Sequence, residues 1–504
     1  MTENLYSVIQ ARLADRDKTF METPDGARCS YGDLDARSAQ FAQALADLGV
    51  EPGDRVAAQV DKSPEAILLY LGCLRAGAVY LPLNTGYTAA EIEYFLGDAE
   101  PRVAVCRPQV EADFRAIAAK TGVAHVETLG ADGNGSITDK AAQADSSFGV
   151  VARNTDDLAA ILYTSGTTGR SKGAMLTHGN LVSNAEALAE TWRFSADDVL
   201  LHALPIFHTH GLFVATNVTL LAGGSMLFLP GFDLAEVLRL LPRASVMMGV
   251  PTFYSRLLSA TEFDRDLVSH MRLFVSGSAP LSPETHKDFE ARTGHAILER
   301  YGMTETGMNT SNPYDGARRA GTVGFPLPGV EIRIADPESG ALLPNGEVGV
   351  IEIRGPNVFK GYWRMPEKTA AEFRADGFFI SGDLGLFDDQ GYINIVGRDK
   401  DLIISGGYNV YPAEIEAALD ALDEIAESAV IGLPHADFGE GVTAIVVPRD
   451  EAALSEDGVR KTLGQTLAKY KVPKRVISVD DLPRNAMGKV QKKELRETYA
   501  DTYR

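Results

Sequence analysis

The chain has 504 residues, 45% of them apolar and 23% charged, a balance that excludes a disordered chain and, at this length, a single ordinary core. Its 69 acidic residues against 48 basic ones leave a net charge of −21, which excludes an extended nucleic-acid surface and requires any polyphosphate to be gripped locally. The three cysteines, Cys29, Cys73 and Cys106, have no spacing that suggests a disulfide framework or a zinc site, so a reducing, cytoplasmic compartment is expected.

The amino-terminal segment MTENLYSVIQARL mixes acids, polar residues and helix-spaced apolar positions, and no apolar run approaches bilayer length. Neither export nor a membrane partner is expected. Residues 129–149, rich in Gly, Asp, Ala and Ser, read as a loose surface connection. Short β-type runs at 159–164 (AAILYT), 246–251 (VMMGVP) and 273–280 (LFVSGSAP) alternate with helical stretches such as PETHKDFEART, which implies layered α/β architecture.

At 163–175 the chain reads YTSGTTGRSKGAM: an apolar strand runs into a loop of Thr164, Ser165, Gly166, Thr167, Thr168 and Gly169, closed by Arg170 and Lys172. Glycines permit close backbone approach, amide and hydroxyl groups donate hydrogen bonds, and the cations offset charge, a combination suited to a triphosphate. The spacing is not that of a P-loop, because Gly166 and Gly169 are too close and another Ser precedes Lys172. His208 and His210 form a His-x-His pair, but no third ligand is suggested, so zinc is not expected.

Around 392–412 the sequence YINIVGRDKDLIISGGYNVYP predicts a strand, a charged turn, a second strand, a Gly-Gly turn and a helix opening at Pro412. A domain boundary is expected there, with residues 1–397 as a large domain, 398–400 as a hinge and 401–504 as a small one. The small part offers a helix (EIEAALDAL), a strand pair (ESAVIGL and TAIVVP) and a basic tail, in which Lys492 and Lys493 read as solvated helix charges.

Four segments together, TSGTTGRSKG, YGMTE at 301–305, SGD at 381–383 with Arg398 following, and PRNAMGKV around Lys489, resemble the adenylate-forming superfamily of acyl-CoA synthetases, peptide-synthetase adenylation domains and beetle luciferases. The resemblance implies an α/β fold, with a large N-terminal domain of layered mixed sheets and helices and a small mobile α+β C-terminal lid. It implies ATP, Mg²⁺ and coenzyme A as the small molecules handled. It assigns the 164–169 loop and Lys172 to the ATP phosphates. Gly277, Ser278, Ala279, Glu299, Arg300, Tyr301, Gly302 and Met303 border the nucleotide, although Glu299 and Arg300 could equally hold that loop in place. Thr304 lies near the α-phosphate, Glu305 on Mg²⁺, and Asp383 with Arg398 on the ribose. Lys489 takes the position of the adenylation lysine, Lys400 that of the pivot, and Gly406, Gly407 and Tyr408 that of the coenzyme A element.

Within that superfamily, HALPIFHTHGL, GVPTFYSRL, VSGSAPL and ERYGMTETGMNTSNPYDG resemble the malonyl-CoA synthetases, which implies malonate as the acid. A second carboxylate that is never activated must be neutralised in its pocket, best by a planar bidentate donor. By this likeness Arg256 and Ser278 take that carboxylate, the HALPIFHTHGL segment is a strand of the acyl pocket, His208 and Met303 line the pocket, and Lys489, Thr304, Glu305 and His208 form the catalytic set. A ligase for another short-chain or aryl acid, methylmalonate included, a carrier-loading adenylation enzyme and a dead nucleotide-binding module are the alternatives. Related bacterial synthetases are switched off by acetylation, which implies a lysine acetyltransferase and deacetylase acting on Lys489.

Overall fold

A computed structural model describes residues 4–13, 15–164, 171–405, 408–449, 454–485 and 488–503. Strands with largely apolar, buried residues need cover on both faces, and they build the first layer. Its six strands lie in the order 125–128, 103–106, 55–59, 79–82, 158–164 and 172–177. Neighbours run parallel except the last pair, a hairpin that sets Thr164 opposite Lys172. All four residues of Val103–Cys106 are buried.

A nine-stranded sheet forms the second layer. At its centre Val199–His202, Val246–Gly249, Leu273–Ser276 and Leu298–Met303 lie side by side and parallel. Open sheets of this kind bind ligands beyond the carboxyl ends of their strands, here marked by His202, Gly249, Ser276 and Met303. A third, antiparallel sheet of 331–335, 349–354, 379–387 and 393–398 sets Asp383 opposite Arg398.

The chain then turns through Asp399–Asp401 into a smaller sheet of 408–410, 403–405, 439–448 and 425–435, with 475–478 beside 439–448. Its core, including Ile403, Val410, Ile415, Leu419, Val430 and Val442, is a cluster of its own, so this body does not depend on the large one for its apolar packing. It rests on the large body in part through an Arg449–Glu284 ion pair of 3.0 Å. A Cβ added at Gly488 would lie 3.3 Å from Thr252 Oγ1, which seats the turn preceding Lys489 against the helix Pro251–Leu258.

Three sequence expectations need correction. Residues 129–149 are not a loose connection: they hold the helix Ser136–Gln143, and Leu129, Ile137 and Ala141 are buried, because Ile137 and Ala141 share one face at helical spacing. The segment HALPIFHTHGL is not a pocket strand. The strand ends at His202, and His210–Thr216 is a wholly buried π-helix packed so tightly that a Cβ at Gly211 would lie 2.0 Å from Pro205 O. Lys492 is not simply solvated, since it pairs with Glu416 at 2.6 Å, whereas Lys493 is exposed and only approaches Glu497 at 3.8 Å on its own helix. Cys29, Cys73 and Cys106 are buried free thiols, and among the described residues no helix is long and apolar enough to cross a membrane.

Candidate active site

The hairpin that closes the Gly/Ser/Thr loop brings Thr164 and Lys172 together; Ser165, Gly166, Thr167, Thr168 and Gly169 lie outside the described residues, as do Gly406 and Gly407. The Lys172 ammonium stands 3.3 Å from Glu372 Oε1 and 4.0 Å from the centre of the Tyr362 ring.

The strand Leu298–Met303 turns at Thr304–Thr306 into Gly307–Ser311, and it must do so with glycine at 302, where a Cβ would meet Gly307 O at 2.2 Å. Tyr301 donates from its hydroxyl to Asp383 Oδ2 at 2.6 Å, and Arg398 Nε holds the other oxygen at 3.0 Å. Burial and the Asp383 charge push the Tyr301 hydroxyl well above its usual range. Thr304 and Met303 are half-buried at the turn. Glu305 is buried, and the loss of solvent raises its carboxyl pKa although Tyr362 Oη lies 3.0 Å from Oε1. A buried carboxylate with a spare oxygen fits a hard divalent cation, provided phosphate oxygens complete the shell. Among the described residues no three His, Cys, Asp or Glu side chains converge into a complete metal site.

On the other side of the strand ends, Ser278 adopts φ +72° and its hydroxyl hydrogen-bonds His210 Nδ1 at 3.2 Å. His208 accepts the His210 amide on Nδ1 at 3.3 Å. Burial, the Arg300 charge and the Lys489 charge, in that order, push His208 down to about 4.

Arg300 is 4% exposed, and burial lowers its guanidinium to about 9. It lies flat against Gly277, where a Cβ would come 2.3 Å from Cζ, and neither Nε nor Nη2 has a protein partner. Glu299 points the opposite way, as alternation along a strand dictates, and its carboxylate is taken by His286 Nδ1 and the Gly321 amide, both at 3.3 Å. Of the two possibilities for Glu299, nucleotide contact or loop support, the geometry favours loop support. Arg256 sits on the expected helix but is exposed, its guanidinium 5.9 Å from the Phe232 ring. The helix turns Tyr254 and Leu257 inward instead, and the guanidinium buried near these strand ends is that of Arg300.

Lys489 reaches the same cleft from the small body. Its side chain remains solvent-accessible, yet the cleft walls and the nearby Arg398 and Lys400 lower its ammonium to about 8, against the raising effect of Asp383 and Asp401. Lys400 is exposed in the connecting turn. Tyr408 is exposed on the small body, stacked on Tyr470 at 4.6 Å and remote from these groups in its contacts. Sequence reasoning missed Tyr362 and Glu372, which belong to none of the motif segments.

The model of the AMP-binding enzyme family matches residues 10–363, and that of the AMP-binding enzyme C-terminal domain matches 414–489. A malonate–CoA ligase of Arabidopsis thaliana is 38% identical over 479 residues, covering 88% of this chain and 78% of the relative. The crystal structure of ATP-bound MatB from Rhodopseudomonas palustris is 60% identical, with both chains fully covered and a TM-score of 0.98. The apo crystal structure of that MatB, at the same identity and coverage, gives 0.86. The arrangement of the two bodies here is thus similar to the ATP-bound form.

An ammonium near pKa 8 keeps its proton below that pH and loses it above. The kcat/KM for ATP-dependent pyrophosphate release is expected to fall as pH rises through about 8. Lys489→Arg should turn over more slowly but lose that alkaline limb; a limb unchanged in the arginine variant would assign it to another group.

Proposed function

The chain belongs to the AMP-binding enzyme family, and we propose that it is an ATP-dependent ligase that joins malonate to coenzyme A through a malonyl-adenylate. The observation that carries the choice of acid is Arg300, a buried guanidinium without protein partners for Nε and Nη2, beside His208, His210 and Ser278. Such a group favours a ligand carboxylate that takes two hydrogen bonds at once, and a pocket with a fixed buried cation disfavours a purely apolar acyl chain.

In the first half-reaction an oxygen of one malonate carboxylate attacks the α-phosphorus of ATP. The new O–P bond forms as the bond to pyrophosphate breaks, and pyrophosphate leaves with the electron pair. Negative charge grows on the α-phosphoryl oxygens, where Lys489 and the Thr304 hydroxyl offset it. Asp383, held by Tyr301 and Arg398, takes the ribose hydroxyls. Lys172 and the adjacent loop hold the outer phosphates. Mg²⁺ would be held by Glu305 and would offset phosphate charge. Arg300 binds the carboxylate that does not react and so fixes which end is activated.

In the second half-reaction the thiolate sulfur of coenzyme A attacks the acyl carbon, the carbon–oxygen bond to AMP breaks, and AMP departs. We assign the pivot to Lys400, so that 1–397 and 401–504 turn as bodies and Lys489 gives way to the Gly406, Gly407 and Tyr408 element. Withdrawing Lys489 removes one of the two cations that depress His208, which makes the imidazole a better acceptor for the thiol proton. An acetyltransferase acting on the accessible Lys489 would remove its charge and stop the first half-reaction; activity restored by a deacetylase checks this. Three buried reduced cysteines accord with a cytoplasmic protein.

Two measurements test this reading. Pyrophosphate release across acetate, propionate, malonate, methylmalonate, succinate and benzoate is expected to favour malonate. Arg300→Ala should raise its KM by a hundredfold or more, the cost of an unpaired buried charge. The exposed Arg256→Ala should raise it by less than about tenfold. Preference for a monocarboxylate, or an indifferent Arg300 variant, would reject the malonate pocket. Separately, Gly407→Leu should form the adenylate and fail to form the thioester, and Lys400→Pro should stall one half-reaction; wild-type rates for both steps in either variant would reject that assignment.

A further inference from the structure

We propose that Glu372 and Tyr362 are positioning residues that hold the Lys172 ammonium at the phosphate end of the nucleotide site. The two side chains come from a part of the chain about two hundred residues beyond Lys172, yet backbone bonds tie them to it. Trp363 N donates to Gly173 O at 2.7 Å, Met175 N to Gly361 O at 2.9 Å and Lys360 N to Met175 O at 3.0 Å. Ala174 forms a bridge with Tyr362. The strand that carries the lysine and the segment that carries its clamp therefore move together.

The clamp has two faces. Below the ammonium is the Tyr362 ring, 4.0 Å away, and beside it is Glu372 Oε1 at 3.3 Å. The lysine side chain is 12% exposed, and an ammonium so far from water needs an anion. Glu372 is the carboxylate that supplies one. Glu372 is itself fixed by Lys368 at 2.7 Å and by the Tyr362 hydroxyl, 2.6 Å from Oε2. The phenol is buried, its amide held by Thr369 Oγ1 at 2.9 Å and its ring packed edge-on to Phe359. Its hydroxyl also lies 3.0 Å from Glu305 Oε1, so one rigid side chain touches both Glu305 and the lysine clamp.

A free lysine spreads over many rotamers, and a cation that must find a polyphosphate from that ensemble loses affinity by ordering on binding. With one N–H directed to Glu372, Lys172 keeps two for phosphate oxygens and starts in place. The nearby carboxylate also repels phosphate, but Lys172 and Lys368 already balance its charge within 3.3 Å. Positioning therefore outweighs repulsion.

The inference rests on the nucleotide reading of this site, and calorimetric titration of the full chain with ATP and with AMP, each with Mg²⁺ and without acid, tests the two apart. Glu372→Gln is expected to weaken ATP about tenfold while AMP, which lacks the outer phosphates, changes by less than about twofold. Glu372→Asp should recover part of the loss. Lys172→Met should show a similar ATP loss, and adding Glu372→Gln to it should cost little more, since the carboxylate then has no lysine to hold. Equal losses for ATP and AMP, or a lowered melting temperature with them, would make Glu372 merely structural and overturn the proposal. Unchanged or tighter ATP binding by Glu372→Gln would overturn it in favour of repulsion. A wild-type chain that binds neither nucleotide would reject the nucleotide reading, and the proposal with it.

Discussion

Like charges held close without enough anions between them are the constraint on which this molecule turns. Lys489, Arg300 and Arg398 share one cleft, and each of the first two has its proton loosened by burial, Lys489 also by the charge of Arg398. Asp383 is the main fixed anion among them, held on Arg398 and raising Lys489 against the general trend. Such a cluster gains most when phosphate and carboxylate oxygens enter. The acidic surface of the chain makes this local cluster the natural place for an anion to settle. On the proposed mechanism, pyrophosphate takes part of that compensation with it when it leaves, which would favour a turn of the small body.

The fold makes this arrangement affordable to assemble and easy to undo. Parallel strands deliver His202, Gly249, Ser276 and Met303 to one rim, and glycines at 277 and 302 let side chain and backbone approach where any Cβ would clash. The cations from the large body are thus rigidly set. Lys489 arrives on a body with its own core, joined by one short turn at Asp399–Asp401 and docked in part through Arg449 and Glu284. A rigid rim and a cation carried on a separate body suit the two half-reactions proposed above, because stabilising charge on phosphorus and admitting a thiol demand different neighbours.

Much of this is legible in the residues alone. Of the apolar runs at 159–164, 246–251 and 273–280, the first is a strand throughout and the other two are strands over 246–249 and 273–276, and PETHKDFEART is helical from Pro283 to Thr293, since period and capping residues carry that information locally. Asp383 and Arg398 are legible as partners only through the family resemblance, and the antiparallel register shows why they meet. Arg256 and Arg300 are where residue type alone says nothing of burial: both are arginines near pocket segments, and only the turn of one helix and the pleat of one strand decide which is buried. The π-helix at His210–Thr216 leaves no sequence period to read. Glu372 is silent for a simpler reason, as its meaning lies in a lysine far away in the chain.

On the proposed mechanism Lys489, docked as it is here, assembles the site for the first half-reaction and is dispensable for the second. Rapid-quench measurement of both steps in Lys489→Ala tests it, with malonyl-adenylate supplied for the second. The account predicts that adenylate formation falls by about a thousandfold or more while thioester formation from supplied adenylate stays within a few-fold of wild type. Equal loss in both steps, or adenylate formation near the wild-type rate, would contradict it.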